Sequence, residues 1–240
     1  MDIFSFTFSS WIVILFLLAG GLVSYVSGKL TLPAVVAGVI IALLIYLGTG
    51  LTGVIMLAVF FVLGTAVTSY RKEYKLKMGL AQADEGRRKI IQVLANAGVA
   101  AILALMSILM EYNSTILQVM IAGSLASATG DTLSSELGNL YGRNFYNILT
   151  LKKDKRGLNG VISLEGTLFG IFGSVVIALI FTIAFGWSFA FVAIVLAGIA
   201  GNLCDSLLGA LFERKAYIGN DAVNFLSTVC AALLALVLMR

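Results

Sequence analysis

The feature that most constrains this chain is a series of long apolar runs broken by short polar segments, such as Trp11 to Val26 and Val161 to Ala184. Runs of this kind approach or exceed the roughly 20 residues that a helix needs to cross a hydrocarbon core. Only 12% of the residues are charged and 60% are hydrophobic, whereas soluble domains carry roughly 25% charged residues. A soluble chain of 240 residues could not hide so much apolar surface from water. The expected solvent is lipid.

The runs predict an all-α, polytopic transmembrane bundle of about eight spans, near 10–27, 33–48, 51–69, 90–110, 114–137, 161–184, 187–211 and 221–239. They form one integral membrane domain over 1–240, with glycine-marked turns near 48–53 and 184–187. With eight spans, all of the 16 Lys and Arg residues except Arg240 fall on one side. Positive residues mark the cytoplasmic face. Both termini are therefore expected outside the cytoplasm, in a bacterial or archaeal plasma membrane. The loops at 70–89 and 138–160 are the only sizeable polar segments. The first run lacks a basic flank, which argues against a cleaved signal.

An internal repeat is visible between Ser124–Leu133, with Asp131, and Gly198–Leu207, with Asp205. Both segments run toward the cytoplasm in the eight-span topology, so a parallel duplication is expected. Small residues at helix contacts would give a similar pattern without one.

Composition also narrows the chemistry. The chain has no histidine, which removes the commonest general base and zinc ligand. Its two cysteines, Cys204 and Cys230, form no CxxC pair. A net charge of +4 suits anionic lipid or phosphate rather than nucleic acid. Acidic residues within apolar helices cost about 2.5–3.5 kcal/mol each and are functional by default. Five of the twelve fall at one expected depth: Asp131, Glu136, Glu165, Asp205 and Asp221. Their repulsion calls for a cation or for paired Lys and Arg. Oxygen ligands without His favour Mg2+ or Mn2+. Ser134 and Ser135 share a helix face with Asp131; Asn202 precedes Asp205 by three; Asn224 follows Asp221 by three. Gln92 and Asn96 follow Arg87, Arg88 and Lys89 on a helix face. Such groups suit a phosphate-bearing ligand, with helix N-termini expected at 161 and 221 to assist. No Walker A, protein-kinase or Rossmann pattern occurs.

Five ordered motifs over residues 85–228 resemble the phytyl-phosphate kinase family of membrane proteins. They are Glu85–Gly98, Gly130-Asp-Thr-Leu-Ser-Ser-Glu-Leu-Gly138, Gly160–Gly170, Gly201–Ala210 and Asn220–Thr228. The first 69 residues match only in hydropathy. A fainter likeness links the chain to the dolichol kinase and phosphatidate cytidylyltransferase family, with Lys152 to Thr167 in the place of a Lys-Ser-rich stretch. Two motifs depart from the family: its Asp-Gly-Gly reads Leu158-Asn-Gly160, and its Ala-Asn-Gly-Gly reads Ala95-Asn-Ala-Gly98.

The resemblance implies an enzyme that moves a phosphoryl group from a nucleoside triphosphate, CTP first among them, to a polyisoprenyl monophosphate lipid in the membrane. Asp131, Glu136 and Asp205 are then the expected catalytic metal ligands. Substrate and nucleotide would be held by Arg87, Arg88, Lys89, Asn96, Ser134, Ser135, Lys152, Lys153, Ser163, Glu165, Thr167, Asn202, Asp221 and Asn224. Two other classes fit the residues alone: an ion-coupled secondary transporter, with its charges nearer the midplane, and a non-catalytic lipid-binding protein. The charge pattern makes a direct prediction. Single cysteines introduced at 153 and 113 should label from opposite sides of the membrane; labelling from the same side would remove the eight-span topology.

Overall fold

A computed structural model of the chain describes residues 8–80, 87–110 and 115–240. Eight long helices correspond to the eight predicted runs: α1 (Phe8–Val26), α2 (Leu32–Thr49), α3 (Leu51–Ser69), α5 (Ile90–Leu109), α6 (Thr115–Tyr141), α7 (Leu164–Phe185), α8 (Phe189–Leu211) and α9 (Asn220–Leu238). Between α3 and α5 lies a short helix, α4 (Lys72–Lys77), inside a segment expected to be loop. Two-residue strands β1 (Tyr146–Asn147) and β2 (Val161–Ile162) pair antiparallel in the loop before α7. Position 113, used in the topology test, lies outside the described residues.

Among the described residues, six helices are long and apolar enough to cross a membrane: α2, α3, α5, α7, α8 and α9. The apolar stretch of α1, Ser10–Val26, is shorter. At 27 residues α6 is the longest helix, yet it is rich in Ser, Thr and Gly. Its position accounts for that composition: α6 is the hub, packed against α3, α5, α7, α8 and α9, so its polar atoms face protein rather than lipid. Thr129 and Thr132 return their hydroxyls to carbonyls one turn back, Leu125 O at 2.7 Å and Ala128 O at 2.9 Å.

Glycine sets the distance between α6 and α7. A Cβ on Gly130 would lie 2.9 Å from Gly170 O, and one on Gly138 would lie 2.7 Å from Gly166 Cα. The two backbones therefore touch, as small residues permit in membrane helices. The aligned segments of α6 and α8 also meet, which brings Asp131 and Asp205 face to face.

Two expected boundaries shift. The sixth run begins at Leu164, not 161, because Val161 and Ile162 are taken by β2. Ser163 caps α7 by accepting a hydrogen bond from Gly166 N–H at 3.1 Å. The last helix begins at Asn220 after Gly219.

The close α6–α7 approach predicts opposite signs for one substitution at two glycines. Gly138→Ala drives a methyl into Gly166 and should destabilise by about 1–3 kcal/mol as overpacking. Gly38→Ala on α2 meets nothing within 4 Å and should be neutral or stabilising by up to ~1 kcal/mol through helix propensity. Thermal unfolding of the two variants in detergent checks the contrast.

Candidate functional site

The ends of the helices that carry the basic loops enclose a polar cavity of about 580 Å³. Every long helix except α2 supplies a wall residue or an adjoining one, from Ser27 after α1 to Asn224 on α9. The cavity exists because α6, α7 and α8 meet through glycine. A Cβ on Gly170 would strike Asn202 Nδ2, and one on Gly166 would come within 3.1 Å of Ser134 O.

Asp131 and Asp205 face each other in this cavity within hydrogen-bonding reach. Asp205 Oδ2 is buried and has no hydrogen-bond partner. Two carboxylates so close repel unless a proton or a cation lies between them. Glu136, the third expected metal ligand, lines the same cavity but is otherwise engaged. Lys75 of α4, only 2% exposed, donates to Glu136 Oε2 at 2.5 Å. The same ammonium donates to Val67 O at 2.9 Å and Thr68 O at 2.8 Å, at the end of α3. Among the described residues no three Asp, Glu or Cys side chains are gathered closely enough to hold a metal ion by themselves. The expected trio therefore becomes a pair plus a salt-bridged neighbour, because Lys75 takes up Glu136.

Cations reach the cavity from two strands of backbone pinned together. Arg88 N–H donates to Lys29 O at 2.9 Å, and Thr31 N–H donates to Arg88 O at 3.1 Å. This pairing presents Lys29, Arg87 and Arg88 on one wall. The Arg88 guanidinium lies over the rings of Phe60 and Phe61, 5.7 and 5.8 Å from their centroids. Gly64 makes room for it, since a Cβ there would lie 2.7 Å from Arg88 Nη2. Burial holds the Arg88 guanidinium below its ordinary pKa, and the Glu136 charge acts the other way.

The remaining expected residues divide cleanly. Asn96, Ser134, Ser135, Ser163, Asn202 and Asn224 line the cavity. Lys89, Lys152, Lys153, Glu165, Thr167 and Asp221 do not. Lys89 caps α5, its N–H donating to Gln92 Oε1 at 2.8 Å. Lys152 and Lys153 are exposed on the loop that includes β1. Glu165 Oε2 accepts from Arg143 N–H at 3.4 Å, and the Thr167 hydroxyl donates to Ser163 O at 3.0 Å. Lys72, Lys75 and Asn159 line the cavity without having been singled out. So does Glu213, which sequence reasoning would leave as a solvated loop charge.

The loop Leu158-Asn-Gly160 also borders the cavity despite its departure from the family pattern. Gly160 is left-handed (φ +74°) and packs directly against Ala210 of α8. Asn147 and Asp154 tie the rest of this loop. Asn147 Oδ1 accepts from Leu149 N–H and Thr150 N–H, and Arg214 Nη2 donates to Asp154 Oδ2 at 2.8 Å. The Arg214 hydrogen bond holds the Asp154 carboxyl below the usual carboxylate range.

Over residues 14–232 the sequence matches the family described as integral membrane protein DUF92. The chain belongs to that family. The DUF92 match begins well before the five motifs, so the N-terminal helices share more with the family than hydropathy. An uncharacterized membrane protein of Methanocaldococcus jannaschii is 35% identical over 189 residues, 79% of this chain and 77% of that one. Protein VTE6, chloroplastic, of Arabidopsis thaliana is 29% identical over 218 residues, 88% of this chain and 66% of its own length. Protein PGR of the same plant is 29% identical over 219 residues, covering 81% and 75% respectively. No solved structure matches the chain.

Lys75 offers a sharp test of how the DUF92 cavity is held. Lys75→Met leaves Glu136 as an uncompensated charge in a site built around the ammonium. It should destabilise by about 3–5 kcal/mol, whereas the double change Lys75→Met with Glu136→Leu should recover most of the loss. Denaturation of the single and double variants in detergent reads the difference.

Proposed function

We propose that the chain is a membrane-embedded prenyl phosphate kinase, transferring a phosphoryl group from a nucleoside triphosphate to a phytyl-like monophosphate. The observation that carries this reading is the cavity itself: a carboxylate pair and a set of guanidinium and ammonium groups share one polar space at the ends of apolar helices. The motif resemblance to phytyl-phosphate kinases points the same way. A lipid monophosphate would place its chain in the bilayer and its phosphate in this space, with the basic loops on the cytoplasmic side.

Asp131 and Asp205 would hold Mg2+ or Mn2+. An all-oxygen donor set suits these ions, and Mg2+ commonly takes only one or two carboxylates, leaving the rest of its shell to water and phosphate. The orphaned Asp205 Oδ2 is an available donor. When bound, such an ion neutralises charge on the transferring phosphate. Arg88, Arg87, Lys72 and Lys29 would neutralise the rest. The amides of Asn96, Asn202 and Asn224 and the hydroxyls of Ser134 and Ser135 would orient the oxygens.

In the reaction an oxygen of the lipid phosphate attacks the terminal phosphorus of the nucleotide. The bond from that phosphorus to the bridging oxygen breaks, and the nucleoside diphosphate leaves with the electron pair. The acceptor is already an anion at neutral pH, so no strong base is needed, in keeping with the absence of histidine.

Purified protein given labelled CTP or ATP, Mg2+ and geranylgeranyl monophosphate should yield the diphosphate without any membrane gradient. Asp131→Asn and Asp205→Asn should each lower kcat by at least 100-fold, since they remove charge needed in the transition state. Arg88→Ala should raise KM. Lys152→Ala with Lys153→Ala should change either constant little, because neither side chain lines the cavity. Gradient-driven uptake of substrate into vesicles, with the lipid chemically unchanged, would replace the kinase with a transporter.

A further inference from the structure

Helix α3, which lines the polar cavity, also carries an apolar groove together with α1. It measures about 600 Å³ and lies between α1 and α3, lined among others by Ile12 and Phe16 on α1 and by Leu51, Ala58, Val59 and Val62 on α3. Every residue along it is apolar. Nothing in the polar site explains it.

Its position relative to that site is the informative point. On α3 the groove runs from Leu51 to Leu63, and the polar cavity takes over with Thr65 and Ser69, which follow Val62 at i+3 and i+7 on the same helix face. The two lining sets succeed one another along a single helix. On α1 the groove is lined at Ile12, Val13 and Phe16, and the chain beyond that helix supplies Ser27, Gly28 and Lys29 to the cavity. Arg88 lies on a different face of α3, over the rings of Phe60 and Phe61. From Leu51 to Leu63 a helix rises roughly 18 Å at ~1.5 Å per residue, a span comparable to an extended diterpenoid chain. Ala58 is small and exposed within the groove, so the space persists there for want of a larger side chain.

We propose that the α1–α3 groove holds the hydrocarbon tail of the lipid monophosphate whose phosphate lies in the polar cavity, and that it selects substrate by chain length. This inference rests on the prenyl phosphate reading of the cavity. It adds a second recognition element: cations hold the phosphate, and a groove of fixed length measures the tail. Burying a tail along the groove contributes about 0.8 kcal/mol per methylene relative to water. Relative to lipid, the gain comes only from shape and contact, so selectivity should fall on chains that overrun or underfill the groove.

The test is binding without nucleotide. Radiolabelled geranylgeranyl monophosphate and dimethylallyl monophosphate are titrated onto protein in nanodiscs, for wild type, Ala58→Trp and Val62→Trp. Ala58 is exposed and Val62 is 61% exposed, so an indole at either position enters the groove rather than the core. Wild type should prefer the long chain by at least tenfold. Each variant should reduce long-chain affinity to about the short-chain level and leave dimethylallyl monophosphate binding unchanged. An unchanged preference in both folded variants would overturn the groove, as would equal loss of both ligands. Assaying phosphoryl transfer on the same samples separates the two ideas. Tail selectivity without transfer keeps the groove and rejects the kinase. Transfer without tail selectivity keeps the kinase and rejects the groove. No binding of either lipid rejects both.

Discussion

The rest of the structure depends on the contact of α6 with α7, where backbone meets backbone. At Gly130 against Gly170 and Gly138 against Gly166 no side chain separates the helices. That contact spans two turns and fixes the rotation of α6 about its axis. Asp131, Ser134 and Ser135 lie between the two contact points, so they turn into the space that α8 and α9 close. Asn202 of α8 reaches the same seam beside Gly170. The floor of the polar cavity is thus a by-product of tight packing, and a larger residue at any of these glycines would move the carboxylates.

Charge is handled in two different ways within a few ångströms. Glu136 is matched by Lys75, whose ammonium also takes two carbonyls of α3, so that charge is settled inside the fold. Asp131 and Asp205 are left facing each other, with one carboxylate oxygen unpartnered. Ionisable groups at membrane depth are rare unless they serve a ligand or a pathway. The fold leaves that pair without a matching cation among the described residues, whereas Glu136 becomes a strut that ties α4 and α3 to α6.

Much of the architecture was legible in the residues. Apolar runs located the eight long helices to within a few positions, because a membrane span is defined by length and composition. The facing of Asp131 and Asp205 was foreshadowed by the similarity of the segments that carry them. Other features were hidden for physical reasons. Helix α4 is six residues long, too short for periodicity to register. Lys75 looks like any loop lysine until the end of α3 and Glu136 converge on it. Lys152 and Lys153 look suited to phosphate by sequence, but β1, β2 and the Asn147 turn hold this part of their loop away from the cavity that Leu158 to Gly160 border. Glu165 and Asp221 fall near the first turns of their helices, yet neither lines the cavity. Proximity in sequence set the depth of these charges and not the direction they face.

The composition of α6 has a consequence for how the protein is made. A segment with Ser124, Ser127, Thr129, Asp131, Thr132, Ser134, Ser135 and Glu136 in a row of turns gains little from entering lipid on its own, since acidic residues weigh against insertion. Its neighbours α7, α8 and α9 are synthesised after it. Most of the surface that covers the hub helix therefore comes from segments C-terminal to it. Truncation of the chain after residue 163 would leave α6 without most of its cover, even though every earlier helix is intact. The centre of the bundle is thus a middle segment of the chain that is completed from its C-terminal side.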